Sequence, residues 1–128
     1  EIKGVGCVYQ LPSYSPIKAG SEEMDKWDPN WKYSVFSSND NYWAGAKKAC
    51  DELGMSLSDR SKLESLARKT TAEKEQLGLP TSGSFWSSSE NTRYNYEAWY
   101  VMNFGNDKGS MGSYYKFYSD MKALCIGD

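Results

Sequence analysis

The chain has 128 residues, a length that fits one domain with one hydrophobic core, and we expect residues 1–128 to form that domain. Its 15 basic and 17 acidic side chains give a net charge of −2, so no basic excess exists to attract nucleic acid or an anionic membrane. Histidine is absent, which removes the commonest general base, the usual catalytic triads and most catalytic zinc sites; we expect neither enzyme activity nor a cofactor.

Residues 1–40 show no sustained periodicity, and we expect this part to be mostly irregular. The apolar run at 5–11 and the segment 33–36 are candidate short strands. Proline and glycine interrupt the loop between them, which carries Trp27 and Trp31. We expect these two Trp side chains to cover the core rather than to form a ligand platform.

The middle third predicts helices, the first of which begins after Asn41, a good N-cap, and ends at Gly54. Its buried face is predicted from residues at three- and four-residue spacing, namely Trp43, Ala46, Cys50 and Leu53.

A second helix is predicted to start near Ser58 or Asp59, where several residues can act as the N-cap. Ser61 and Glu64 have the spacing of a capping box. Helical propensity continues to Leu77, before a glycine and a proline end it. The predicted buried stripe of this helix consists of Leu63, Leu66 and Ala67.

The last third predicts four short strands, at residues 84–89, 98–104, 114–118 and 123–126. Helices followed by a run of hairpin-connected strands indicate an α+β domain with an antiparallel sheet. The side chains that we expect to anchor the core are Trp43, Leu53, Leu63, Leu66, Trp86, Trp99, Val101 and Leu124.

The chain contains three cysteines, Cys7, Cys50 and Cys125, at wide spacing. No two of them are separated by only two residues, so neither a zinc ribbon nor a redox motif is predicted. The residues alone leave two states open: one long-range disulfide with one free thiol, or three buried reduced cysteines.

The order of motifs along the chain carries a family resemblance. A Trp-containing helix with a cysteine in its last turn precedes a leucine-bearing helix, then F-W-S-S-S-E at 85–90, A-W-Y-V at 98–101, F-G-N at 104–106 and a closing strand with Cys125. Over residues 40–128 this order resembles a family of bacterial surface domains within the C-type-lectin-like superfold.

The resemblance implies a compact fold in which the chain ends meet and two helices flank a small twisted antiparallel sheet. It also implies a disulfide between a cysteine late in the first helix and one in the last strand, positions held here by Cys50 and Cys125. Such a bond places the domain in an oxidising compartment, outside the cell or on its surface. Cys7 has no evident mate, and we expect an export signal and an anchor upstream of Glu1.

Sugar-binding members of the superfold hold calcium with a Glu-Pro-Asn or Gln-Pro-Asp loop and a Trp-Asn-Asp strand. Neither motif occurs in this sequence. Calcium takes six to eight oxygen ligands, and the corresponding loops here lack a spaced set of carboxylates. We therefore expect binding that is independent of calcium, with no metal site.

Two segments, 87–96 and 105–115, consist mainly of Ser, Gly, Asn and Tyr, the composition typical of antibody loops. Tyr supplies rigid contact area, Asn supplies hydrogen bonds, and charged residues set the charge preference of a binding surface. The predicted ligand-binding residues are Asn91, Arg93, Tyr94, Asn95, Tyr96, Asn106, Asp107, Lys108, Ser113, Tyr114, Tyr115 and Tyr118. The alternative is that these are ordinary turns, with Tyr covering the sheet.

These expectations describe an exported ligand-binding module of adhesin or receptor-binding type, with a protein or glycan partner, no nucleic acid and no membrane insertion. The loop residues are also similar to those that diversity-generating retroelements produce in proteins of this fold. Two alternatives are a phage or virion receptor-binding domain and a purely structural surface domain.

Overall fold

The computed structural model describes residues 6–11, 13–18, 21–29, 40–94, 96–105 and 108–127, and the structural statements below refer to them. This part of the chain is α+β. The helices are α1 (Glu22–Trp27), α2 (Tyr42–Glu52), α3 (Arg60–Ala67) and α4 (Thr71–Leu77). The strands are β1 (Cys7–Leu11), β2 (Ile17–Lys18), β3 (Asp40–Asn41), β4 (Ser56–Leu57), β5 (Phe85–Glu90), β6 (Glu97–Val101), β7 (Met111–Tyr115) and β8 (Lys122–Gly127).

The main sheet is mixed, in the order β1-β8-β5-β6-β7, with β4 also paired to β8. The prediction of an antiparallel sheet is wrong at one place, because β5 and β8 run parallel, with Trp86 opposite Ala123. The reason is that residues 116–121 return from the end of β7 to the opposite end of the sheet, so β8 starts beside the start of β5.

The first and last strands are neighbours, with Cys7 opposite Gly127 and Leu11 opposite Ala123. The first and last strands of the described residues therefore lie side by side, in agreement with the resemblance. Within the described part of residues 1–40, the candidate strand at 5–11 is confirmed as β1, whereas β2 and α1 were not predicted. The predicted strand at 33–36 and Trp31 lie outside the described residues.

The sheet separates two hydrophobic clusters, because neighbouring side chains on a strand point to opposite faces. On one face, Phe85 and Leu124 pack with Leu63 of α3. On the other face, Trp86 packs with Trp43 of α2. The central strands are therefore covered on both sides.

Capping residues in the sequence correctly predicted where α2 and α3 begin. The Asn41 side chain accepts a hydrogen bond from the Ala44 amide at 2.8 Å, as expected of the N-cap of α2. The single second helix is instead two helices, and the predicted capping box at Ser61 is wrong. Asp59 caps α3, and Thr70 forms a capping box at the start of α4. Because Asp59 precedes Ser61 and accepts from the amide of the third helical residue, it starts the helix earlier.

Six of the eight predicted core anchors are buried, namely Trp43, Leu63, Leu66, Trp86, Val101 and Leu124. Leu53 is 50% exposed because α2 ends before it and the chain turns there, which takes its side chain off the helix face. Trp99 is only half-buried; the guanidinium of Arg60, rather than apolar side chains, covers its ring at 3.8 Å.

The W-S-S-S-E motif connects the sheet to both helical layers. The Ser87 hydroxyl donates to the Trp99 carbonyl at 2.8 Å, and the Trp43 indole of α2 donates to the Ser87 carbonyl at 2.7 Å. The Ser89 hydroxyl accepts from the Arg60 amide at the start of α3 at 3.0 Å. The Ser87 and Ser89 hydroxyls therefore pair with backbone groups of β6 and of the start of α3.

A disulfide joins Cys50, in the last turn of α2, to Cys125 in β8, as expected. Both half-cystines are fully buried, and the sulfur atoms lie 2.05 Å apart. Cys7 is a free thiol and is exposed on β1. Of the two states left open by the sequence, the structure has one disulfide and one free cysteine.

Removal of this disulfide is expected to destabilise the domain substantially. The bond closes a loop with a sequence separation of 75. The chain-entropy relation gives about 4 kcal/mol for such a loop, an upper figure for many real bonds. Urea unfolding of the Cys50→Ser/Cys125→Ser variant measures the loss, with Cys7→Ser as the matched control. Alkylation of all three thiols in protein never exposed to reductant would contradict the pairing.

Candidate functional site

The buried Lys116 side chain follows β7 and lies at the centre of a charge cluster. Its ammonium nitrogen is 2.8 Å from Asp28 Oδ2 and 2.6 Å from Glu90 Oε1, and it lies 4.4 Å from the centroid of the Trp43 ring. An ammonium group removed from water needs such partners, because desolvating it alone costs several kcal/mol. We call Lys116, Asp28 and Glu90, together with Asn41, the buried ionic cluster.

Asn41 connects this cluster to the start of α2. Its side-chain amide donates to Asp28 Oδ2 at 2.8 Å, while its carbonyl oxygen caps the helix. Burial raises the pKa of Asp28, and the attraction of Lys116 and its hydrogen bond oppose that rise. Among the described residues, Asp28 Oδ1 has no hydrogen-bond partner.

Lys47 of α2 is partly buried, and its ammonium group contacts the same indole as that of Lys116. Its ammonium nitrogen is 4.1 Å from the Trp43 ring centroid and donates to the Trp27 carbonyl at 2.8 Å. Burial lowers the pKa of Lys47, and the charge of Asp28 partly restores it. The Lys47 ammonium is therefore partly withdrawn from solvent beside the buried ionic cluster.

The backbone of Lys116 ties the cluster to the predicted binding loops. Its amide donates to the Tyr96 carbonyl at 2.9 Å, and its carbonyl accepts from the Tyr42 amide at 2.7 Å. The segment after Glu90 and the end of β7 are thus held against the start of α2.

Five tyrosines form a continuous group of rings at this end of β6 and β7, which we call the tyrosine surface. Its members are Tyr94, Tyr96, Tyr114, Tyr115 and Tyr118. The centroids of contacting rings lie between 4.8 Å and 5.8 Å apart. Phe117 stacks on Tyr115 at 5.1 Å with an interplanar angle of 5°. Such spacing is typical of attractive aromatic pairs.

The outer rings of the tyrosine surface are accessible: Tyr94 is 38% and Tyr114 is 39% exposed. Burial raises the pKa of Tyr96, and a hydrogen bond with Asp120 raises that of Tyr118. Both phenols are uncharged at neutral pH, as tyrosines ordinarily are, and that of Tyr118 is hydrogen bonded to Asp120.

Asn91 and Ser113, both predicted to bind ligand, hold the loop in place. Asn91 Oδ1 accepts from the amides of Arg93 and Tyr94 at 2.9 Å and 3.3 Å, an Asx turn. Asn91 Nδ2 donates to the Ser113 hydroxyl at 3.1 Å, which donates to Glu97 at 2.7 Å. The Arg93 guanidinium lies 5.4 Å from the Tyr94 ring, at the exposed edge of the tyrosine surface.

Of the second predicted segment, Tyr114 and Tyr115 belong to the tyrosine surface, whereas Lys108 lies apart from it. Lys108 lies in the connection that joins Val101 to Met111, whereas the tyrosine surface begins where Glu97 pairs with Tyr115. Four residues of extended strand separate these ends by about 13 Å. The Lys108 carbonyl accepts from the Arg68 side chain at 3.4 Å, at the end of α3. The predicted residues Asn95, Asn106 and Asp107 lie outside the described residues.

Sequence reasoning missed the buried ionic cluster. Lys116 lies between aromatic residues in a segment rich in polar residues, and Asp28 is 88 positions away. Neither residue carries a local signal of burial. Only the topology brings them together.

Among the described residues, no group of three or more His, Cys, Asp or Glu side chains is arranged to hold a metal ion. In the same part of the chain, no helix has both the length and the hydrophobicity needed to traverse a bilayer. No protein-family model matches the chain, and no significant match was found among curated proteins or solved structures.

Replacement of Lys116 by methionine is expected to cost about 3–5 kcal/mol of unfolding free energy at pH 7, because it leaves buried carboxylates without their cation. Urea denaturation measures the loss. Lys18→Met is the matched control, since Lys18 pairs with Asp40 at a surface where its side chain is 70% exposed. Exposed pairs contribute about 0–1 kcal/mol, so a similar small loss for both variants would contradict the role of the cluster.

Proposed function

We propose that this protein is a ligand-binding module of adhesin or receptor-binding type, which recognises a protein or glycan partner through the tyrosine surface without calcium. The observation that carries the proposal is the continuous group of half-exposed Tyr rings on the ends of β6 and β7. Tyr is efficient at interfaces because a large rigid side chain with a polar tip loses little entropy on binding.

Preorganisation supports the proposal. The Tyr96 carbonyl is bonded to the Lys116 amide, and the Asn91 side chain fixes the turn that carries Tyr94. A surface that is already ordered loses less conformational freedom on association, so more of its contact energy appears as affinity. Loops on a rigid scaffold are a common location for binding sites.

A C-type-lectin-like fold and an exported location are part of the same proposal. The pairing of β1 with β8 and the disulfide between α2 and β8 agree with what the motif resemblance implies. A buried disulfide favours an oxidising compartment. A bacterial cell surface is the location that fits both features.

The exposed rings of Tyr94 and Tyr114 provide the test. A glycan array and a pull-down of cell-surface proteins identify a ligand for the wild type, and calorimetry then measures its affinity for a Tyr94→Ala/Tyr114→Ala variant. Tyrosines at the centre of an interface contribute about 2 kcal/mol or more, so we expect a loss of about 30-fold or more.

Tyr9→Ala is the matched control for this experiment. Tyr9 is 52% exposed, but it lies on β1, at the opposite edge of the sheet from β7. Four strand spacings separate it from the tyrosine surface by about 19 Å. Unchanged affinity in a folded Tyr94→Ala/Tyr114→Ala variant, or an equal loss in Tyr9→Ala, would refute the proposed surface.

A further inference from the structure

A groove lies between the start of α3 and strands β5 and β6. The groove has a volume of about 380 Å³, within the range of small-ligand sites. Its lining residues are Asp59, Arg60, Ser61, Ser89, Glu90, Thr92 and Trp99. None of these side chains is aliphatic, so the groove offers hydrogen bonds and one aromatic ring rather than an apolar pocket.

Arg60 is the cation of this groove, and its guanidinium lies over an aromatic ring. Its guanidinium carbon lies 3.8 Å from the centroid of the Trp99 ring, and its amide donates to the Ser89 hydroxyl. No described residue forms an ion pair or a hydrogen bond with its guanidinium. A guanidinium stacked on an indole keeps its N–H donors available in one plane, the geometry that binds a carboxylate through two hydrogen bonds.

The two carboxylates of the groove, Asp59 and Glu90, differ in whether they can accept hydrogen bonds from a ligand. Glu90 is paired with the buried Lys116 at 2.6 Å, which offsets its repulsion of an anion. Asp59 Oδ1 accepts from the Lys62 amide at the start of α3. The remaining acceptor capacity of Asp59 and the hydroxyls of Ser61 and Thr92 suit a ligand with several hydroxyl groups.

We propose that this groove binds an acidic saccharide, a sugar that carries a carboxylate in addition to its hydroxyls. The sugar carboxylate pairs with Arg60, and its ring hydroxyls donate to Asp59 and exchange hydrogen bonds with the groove hydroxyls. A peptide carboxylate would satisfy Arg60 but would leave the hydroxyl-rich wall unused. The proposal is independent of the tyrosine surface, because the two sites use different side chains.

The test is an NMR titration of the intact chain with methyl glucuronide and with the methyl glycoside of N-acetylneuraminic acid. We expect saturable shifts of the Trp99 indole resonance with at least one of these acidic sugars. Methyl glucoside, which has the hydroxyls without the carboxylate, and N-acetylglutamate amide, which has a carboxylate without the sugar, should each bind about tenfold more weakly or less.

Variants separate this site from the rest of the molecule. Arg60→Gln should weaken binding of the acidic sugar by about tenfold or more, because it removes a charge-assisted hydrogen-bond pair. Arg68→Gln, beyond the other end of α3, should leave it unchanged, as should the Tyr94→Ala/Tyr114→Ala variant. Thermal unfolding establishes that each variant is folded.

Three results would overturn the proposal: no saturable shift with either acidic sugar, equal binding by folded Arg60→Gln, or preference for the glutamate derivative. The last result would assign the groove to an acidic peptide. None of them bears on the tyrosine surface, whose own test uses different variants.

Discussion

The buried ammonium group of Lys116 imposes the strongest constraint on this fold. A cation with no solvent exposure must have carboxylates within hydrogen-bonding distance, and here Asp28 and Glu90 meet that need from segments far apart in the chain. Asn41 joins the same cluster and starts α2. One buried charge therefore fixes where the segment after α1, the start of α2, the end of β5 and the end of β7 meet.

The tyrosine surface is built on this junction. The Lys116 amide donates to the Tyr96 carbonyl, and Tyr115, whose ring stacks on that of Tyr96, directly precedes Lys116 in the chain. A shift of this backbone would therefore separate the buried Lys116 ammonium from its carboxylate partners. The disulfide fixes the other end of α2 to β8. Helix α2 is thus held by an ionic cluster at one end and a covalent bond at the other, and backbone hydrogen bonds of Lys116 connect its start to Tyr96.

Helix caps, buried helix positions and the disulfide pairing could be predicted from the sequence, because each depends on neighbouring residues or on the motif resemblance. The Asn41 cap and the buried Trp43 follow from side-chain chemistry and helical spacing, and the pairing of Cys50 with Cys125 follows from the family resemblance. Leu53 has the sequence spacing of a buried helix position, but α2 ends at Glu52, and residue spacing alone does not show where a helix ends.

Features that depend on long-range topology could not be predicted. The parallel pairing of β8 with β5 depends on the path of residues 116–121. Lys108 is a different case: loop composition grouped it with the tyrosines, although successive hairpin loops of antiparallel strands lie at opposite ends, and Lys108 lies at the other end of β7. Lys116 has a sequence environment typical of a solvated lysine, and its burial depends on carboxylates contributed from elsewhere.

Hydrogen exchange of Lys116→Met, followed by NMR or mass spectrometry under conditions in which the variant remains folded, tests the central claim most directly. If the buried ionic cluster orders the tyrosine surface, protection should fall for the amides of Lys116 and Tyr42, which donate to the Tyr96 and Lys116 carbonyls, while the amides that pair β1 with β8 retain theirs. Uniform loss across the sheet, or unchanged protection at Lys116 and Tyr42, would contradict the account.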